Sequence, residues 1–212
     1  MDHHSCWHCG VADAASPFCN YCNSLQSPGS DYFHFFGLPK KLTVDAADLQ
    51  QRFYRLSRLL HPDRYTRSSP REQQYSLEAA SILNDGYRTL RDPARRAEYI
   101  LREQGLELGQ HNPREVPPEL LEEVFDLNMQ IDELRSGAED ARQPLLDSRA
   151  RFAAMLEETD ARLLALFAGY DAAASRDAAH RALLDIRGVL TRRRYIRNLL
   201  GEVDKALTAR DA

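Results

Sequence analysis

Beyond residue 22 the chain has no cysteine. All four lie near the start, as "CWHCG" and "PFCNYC", and the remainder of the 212 residues has none. Such segregation marks a small separate module. No apolar run is long enough to span a bilayer, which excludes a transmembrane helix. The opening "MDHHSCWHCG" lacks both the apolar centre of a secretory signal and the Arg-rich amphipathic character of a transit peptide. The chain as given is therefore expected to work where it is made, or to have been processed already. There is no excess of positive charge either. At a formal net charge of -4, nothing attracts phosphate backbones in general, so nucleic-acid binding would need a local basic patch. No fixed-period repeat is visible. What is present is 43% hydrophobic and 28% charged residues, the composition of a soluble chain able to bury a core in one or two domains.

The cysteines follow the pattern C-x2-C, nine residues, C-x2-C. Each pair sets two thiolates on one side of a tight knuckle, and together Cys6, Cys9, Cys19 and Cys22 complete a tetrahedral S4 site for which Zn2+ fits best. Roughly 25 residues cannot form an adequate hydrophobic core, so metal binding would supply the folding energy, about 10 to 16 kcal/mol in comparable finger peptides. Two disulfides or unliganded thiols are the blander readings. His3, His4 and His8 read as solvated neighbours, because four cysteines close a structural site and leave no open position for metal catalysis.

After the polar hinge "SLQSPGSD", the aromatic "YFHFFGLP" predicts a short helix closed by Gly37 and Pro39. "TVDAADLQQRFYRLSRLL" reads as an amphipathic helix with Thr43 or Asp45 as N-cap and Leu49, Phe53, Leu56 and Leu60 as its buried stripe. Arg52, Arg55 and Arg58 fall on another side, as a solvated basic face or a docking surface for an acidic partner. Pro62 must end that helix at His61. A second helix is expected from about Pro70 to Leu90, with Leu77, Ala80, Leu83, Tyr87 and Leu90 on one face. The joining "HPDRYTRSS" leaves His61, Pro62 and Asp63 exposed at a corner, with no nucleophile beside them for catalysis.

Taken together, "DYFHFFGLP", "FYRLSRLLHPDRY" and "AASILNDGYRTLRDPARRAEYIL" resemble a J-domain, the co-chaperone module that stimulates ATP hydrolysis by DnaK-class chaperones, from about Asp31 to Gly105. "LSRLLHPDRY" and "TLRDPARRAEYIL" are similar to the HscB family, the J-proteins of iron-sulfur cluster assembly. Gly86 stands where that helix usually has Ala, at an expected cost of about 1 kcal/mol in a helix interior. The resemblance implies that His61, Pro62 and Asp63 contact a DnaK/HscA-class chaperone, with Arg52, Arg55 and Arg58 steering the encounter.

Beyond the Pro-rich "GLELGQHNPREVPP", three helical segments are expected, Pro118 to about Arg135, Gln143 to about Phe167 and Ser175 to about Leu207, packed as an antiparallel three-helix bundle. In the first, Leu120, Val124, Leu127, Ile131 and Leu134 form the packing stripe. Leu121 and Phe125 lie on its flank beside Glu122, Glu123 and Asp126, as a wider core stripe or an exposed patch for a partner. In the last, the stripe is Leu183, Ile186, Leu190, Leu200 and Val203, and Tyr195 within "TRRRYIRNLL" falls off it. The resemblance implies an IscU-like scaffold held by Leu121, Phe125, Asp126 and Tyr195, although Glu122 stands where the family prefers an apolar residue.

The expected fold is all-α: a zinc-binding knuckle module (1–26), a J-domain helical hairpin (30–105), a linker (106–117) and a C-terminal three-helix bundle (118–208). The expected function is that of a co-chaperone, an activator and not an enzyme, with structural Zn2+. No nucleic-acid or membrane partner is expected. A general J-protein for misfolded clients, and a zinc-dependent nucleic-acid-binding or redox protein, are the alternatives. The module leaves homodimerisation and additional partner contacts equally open. The expected compartment is bacterial cytoplasm, with the mitochondrial matrix as the alternative.

Overall fold

The computed structural model describes residues 4–13, 17–109, 118–137, 140 and 142–209. His3 and linker positions 110–117 lie outside the described residues. The chain divides into two compact units, Met1–Arg96 and Ala97–Ala212. No helix among the described residues is long and apolar enough to cross a membrane.

The first unit begins with a two-residue hairpin, β1 (His4–Ser5) antiparallel to β2 (Ala12–Asp13). It is the only paired ladder of named strands among the described residues, and the expected all-α fold otherwise holds. Helix α1 (Tyr32–Phe36) starts at Asp31, whose side chain accepts from the His34 N–H, and ends at Gly37 in the left-handed region at φ 64°. Helix α2 (Ala46–Leu60) takes Asp45 as its N-cap, so of the two candidates the residue with the carboxylate nearer the free N–H groups serves. It stops at His61, whose extended ψ of 129° is what the following proline demands. A single 3-10 turn (Pro62–Tyr65) leads to α3 (Pro70–Arg91), which opens with Pro70 at its first position and a reciprocal capping box between Ser69 and Glu72. Helix α4 (Pro93–Glu103) follows after Asp92.

The buried face of α3 keeps Leu83 and Leu90 of the expected one and differs at its other positions. It consists of Ser76, Ala79, Leu83, Gly86 and Leu90, whereas Leu77 is 61% exposed and Ala80 and Tyr87 are half-buried. Hydrophobicity favours Leu77, but close approach of two helices favours small side chains on the inner face. Ser76 donates its hydroxyl to the Leu60 carbonyl at 2.7 Å, satisfying a C-terminal group of α2 that would otherwise lack a helical partner. Tyr87 instead stacks on Phe53 at 4.3 Å between ring centroids and covers the flank. Arg96 is a buried cation that sequence periodicity misses. Its guanidinium donates to the Leu42 carbonyl at 2.7 Å and to the Leu90 carbonyl at the end of α3.

The second unit contains α5 (Leu121–Arg135), preceded by a 3-10 turn at Pro118–Leu120, and the longer α6 (Arg142–Asp171) and α7 (Arg176–Thr208). Ser175 caps α7 by accepting from the Ala178 N–H. All three helices touch one another. Their shared core joins Leu120, Leu127, Ile131 and Leu134 of the first segment to Leu145 and Phe152 of α6 and to Ile196, Leu199 and Val203 of α7. The expected stripe of α5 is therefore the observed one. That of α7 holds at Leu183, Ile186, Leu190 and Val203, but Leu199 is buried where Leu200 was expected, Leu200 is only partly buried, and Tyr195 belongs to the core at 8% exposed. Two helices cover α7 from two sides, so its buried arc is wider than a single stripe at 3.6-residue spacing. Burial raises the Tyr195 phenol above its usual range.

A Cβ built on Gly86 would meet Phe36 Cε2 at 3.0 Å and Tyr32 Cδ1 at 3.1 Å. The glycine thus makes room for the aromatic rings of α1. Gly86→Ala is expected to lower the thermal midpoint instead of recovering the roughly 1 kcal/mol that alanine gains in an open helix. A raised midpoint in calorimetry would show that the rings move aside freely.

Candidate functional site

The chain offers three places of distinct chemistry, and the first is the cysteine cluster. The Sγ atoms of Cys6, Cys9, Cys19 and Cys22 all lie within 4.8 Å of one another. Cys6 and Cys22 approach to 3.6 Å and Cys9 and Cys19 to 3.7 Å, close to the edge of about 3.8 Å expected for a tetrahedron of sulfurs around a metal at 2.3 Å. The two C-x2-C segments fold alike. In each, the N–H after the second cysteine returns to the carbonyl of the first, Gly10 to Cys6 and Asn23 to Cys19, both at 2.9 Å. Both closing residues have positive φ, 73° at Gly10 and 57° at Asn23, a region that glycine and asparagine tolerate best. Backbone N–H groups of His8 and Tyr21 point at the sulfurs of Cys6 and Cys19, each at 3.4 Å. The expected four-residue set is therefore brought together, on a frame that suits thiolates and a metal cation.

The thiols are not alike. Burial pushes Cys6 up, but the Cys9 N–H, the Ser24 hydroxyl and the His8 N–H outweigh it and bring it to about 5. The Ser24 hydroxyl and N–H lower Cys22 to about 7. Cys19 receives N–H bonds from Cys22 and Tyr21, yet burial and the neighbouring Cys22 and Cys6 sulfurs push it up to about 12. Cys9 accepts from the Val11 N–H, but burial and Cys6 raise it as well.

The second place is the corner. Pro62 and Asp63 begin the 3-10 turn, and the Asp63 side chain is 87% exposed. His61 Nδ1 accepts from the Asp63 N–H at 3.3 Å and lies 3.6 Å from the Asp63 carboxylate. Thr66 donates to the Asp63 carbonyl at 3.2 Å and Tyr65 to the Leu59 carbonyl at 3.1 Å. Gln73 of α3 reaches back to the Ser68 carbonyl at 3.0 Å. The corner is held from both helices while its carboxylate faces solvent. Of the three arginines, Arg55 and Arg58 are exposed on α2. Arg52 is engaged within the chain: its Nε pairs with Asp48 at 2.9 Å, and its Nη1 donates to the Phe36 and Gly37 carbonyls at 3.1 and 2.8 Å. It fastens α1 to α2.

The third place is one face of α5. Phe125 is 65% exposed, and Leu121 and Met129 are exposed one turn to either side. The open question about Leu121 and Phe125 is thus resolved in favour of a surface patch. Met129 extends it, and the i, i+4, i+8 spacing that reveals it was legible in the sequence. Glu122 is exposed and Asp126 half-buried beside the patch. Tyr195 is not part of that surface.

With Zn2+ as the probe, binding at pH 8 is expected to release protons, because a thiol must ionise to become a ligand, and the raised thiols of Cys9 and Cys19 contribute to that release. Affinity should fall as pH is lowered, because protons then compete for the thiolates. Calorimetry in buffers of different ionisation enthalpy counts the protons; no release at pH 8 would contradict thiolate ligation.

No family model matches the chain. Among curated proteins it is 33% identical over 139 residues to the iron-sulfur cluster co-chaperone protein HscB of Mus musculus, covering 63% of this chain and 59% of the relative. The Homo sapiens protein of that name matches equally, at 33% over 139 residues. A co-chaperone protein HscB homolog of Vibrio cholerae is 34% identical over 109 residues, 51% of this chain and 64% of the relative. The matched segments thus span about six-tenths of the length of these relatives. The crystal structure of human HscB superposes with a TM-score of 0.73 at 26% identity, covering 95% of this chain and 97% of that one. Chaperone HscB from Vibrio cholerae gives 0.60 at 28% identity, covering 82% and 96%. The relatives from mouse, human and Vibrio cholerae are co-chaperones by name. In its sequence and in its helical fold, the chain is similar to the HscB iron-sulfur cluster co-chaperones.

Proposed function

We propose that this chain is a co-chaperone of iron-sulfur cluster assembly that holds an IscU-like scaffold on α5 and presents its corner to a DnaK/HscA-class chaperone. The observation that carries this reading is the pairing of two exposed surfaces of different chemistry, one on each unit. A Pro-fixed, exposed Asp63 can pair with a cation on the chaperone without first reorganising. Arg55 and Arg58 add positive charge along the helix that leads to it and steer an acidic partner. Arg52 acts on that surface indirectly, by holding α1 against α2. On α5, Leu121, Phe125 and Met129 offer an apolar centre, and Glu122 and Asp126 a carboxylate rim. Tyr195 supports α5 from within the core in this reading. The scaffold would be held while stimulated ATP hydrolysis locks the chaperone onto it and promotes cluster transfer.

The metal of the cysteine cluster is proposed to be Zn2+ in a closed structural site, because four thiolates leave no position for substrate. A homodimer formed through this module would have to use its other side, where Tyr21 is exposed, since Trp7 is taken up against α3. Homologues from a bacterium and from mammals fit two compartments for the role, bacterial cytoplasm and mitochondrial matrix.

Asp63→Asn is expected to abolish stimulation of the chaperone ATPase in single-turnover assays while leaving the circular dichroism spectrum unchanged. Equal stimulation by both forms would refute the corner's role. Phe125→Ala should weaken scaffold binding by about 1 kcal/mol or more if it is a hot spot. Unchanged calorimetric affinity would remove α5 from the interface, and stimulation indifferent to scaffold would point to a general J-protein.

A further inference from the structure

We propose that metal binding at the four cysteines positions the exposed corner, with Trp7 as the connecting residue. The inference rests on the docking role proposed above for that corner. Trp7 is the sole tryptophan and stands between Cys6 and Cys9, inside the first knuckle, so a metal that closes the knuckle also fixes the backbone that carries the indole.

From there the indole meets the neighbouring His8 ring edge-on at 5.5 Å between centroids and also reaches beyond its own knuckle. Its Nε1–H donates to the Leu25 carbonyl at 2.7 Å, which ties the knuckle to the far end of the module. Its ring meets Tyr75 edge-on at 6.4 Å between centroids. The Arg71 guanidinium lies over it at 5.1 Å, within the range of a cation–π interaction. Arg71 and Tyr75 are four residues apart in the opening turns of α3, hence on one face of that helix.

Those same turns hold the corner. Ser76, the neighbour of Tyr75, donates to the carbonyl of Leu60, the residue before His61. Gln73 donates to the carbonyls of Ser68 and Thr66 at 3.0 and 3.3 Å, and Thr66 in turn donates to that of Asp63. A module of this size lacks a core sufficient to keep its knuckles closed without metal. When they open, Trp7 withdraws from Arg71 and Tyr75, and the start of α3 loses its cover. Because coupling between sites is reciprocal, the folded start of α3 also favours metal retention.

Hydrogen exchange read by mass spectrometry on the full chain, with Zn2+ bound and after chelation, tests this directly. Zn2+ removal is expected to speed exchange at residues 73–78 by about tenfold or more, with exchange in α6 unchanged, and to shift the Trp7 emission to longer wavelength. Tyr75→Ala retains all four cysteines and should still bind one equivalent of Zn2+, yet lose the metal dependence at 73–78. Arg71→Ala, at an exposed position, should reduce it. Identical wild-type exchange with and without Zn2+ would overturn the proposal, as would full metal-dependent protection in Tyr75→Ala. ATPase stimulation measured on the same samples separates the two readings. Metal-dependent protection in a chain that stimulates no chaperone supports the coupling and removes the docking role.

Discussion

The close approach of α3 to α1 and α2 is the constraint on which the first unit depends. Ser76, Ala79 and Gly86 give α3 a face of small side chains, and the space they leave is filled from opposite directions. Phe36 and Tyr32 enter beside Gly86, while the Leu60 carbonyl comes within hydrogen-bonding reach of Ser76. A helix pair packed this tightly has few alternative registers, because protein interiors are filled as densely as crystals and tolerate little displacement. The turn between the two helices inherits that rigidity. Pro62 stops α2, Ser69 and Glu72 start α3, and the intervening residues are tied to both ends. An exposed carboxylate on such a frame meets a partner with little conformational entropy left to lose.

The parts of the chain draw on different sources of stability. The second unit is a conventional hydrophobic bundle, with leucines, isoleucines, Phe152, Tyr195 and Val203 sealed between three helices. Among its described residues the cysteine module buries only Cys6, Cys19, Ser24 and Leu25, and its order comes from two matching knuckles whose N–H groups converge on sulfur. Trp7 connects this module to a helix of the hairpin. The division of labour explains why cysteines are confined to one end: elsewhere apolar burial alone suffices.

The elements were largely legible. Caps at Asp45 and Ser175, the stop at Pro62 and the buried residues of α5 all follow from local rules of helix termini and periodicity. The cysteine cluster was legible too, because C-x2-C spacing is a short-range property that folding to a metal site preserves. The misplacements at Leu77 and Tyr195 share one cause. Periodicity assigns the largest apolar residues to the core, whereas the observed face is chosen by what lies opposite. Against α1 and α2 the buried face of α3 interleaves Ser76, Ala79 and Gly86 with Leu83 and Leu90, and Leu77 is turned outward; against two helices at once, α7 buries a second row that includes Tyr195. Arg96 and Arg52 were missed for a related reason, since their partners are backbone carbonyls distant in the chain.

By itself, then, the sequence determined the order of the helices, the corner between α2 and α3 and the four cysteines that cluster where a metal ion could be held. All of these depend on spacing within a few turns or on the chemistry of a residue type. Only the tertiary structure decided which side chains reach solvent. It exposed Leu121, Phe125 and Met129, buried Tyr195, engaged Arg52 and laid Trp7 against α3. Exposure depends on which neighbours occupy the space around a residue, and those neighbours are set by packing between segments far apart in sequence.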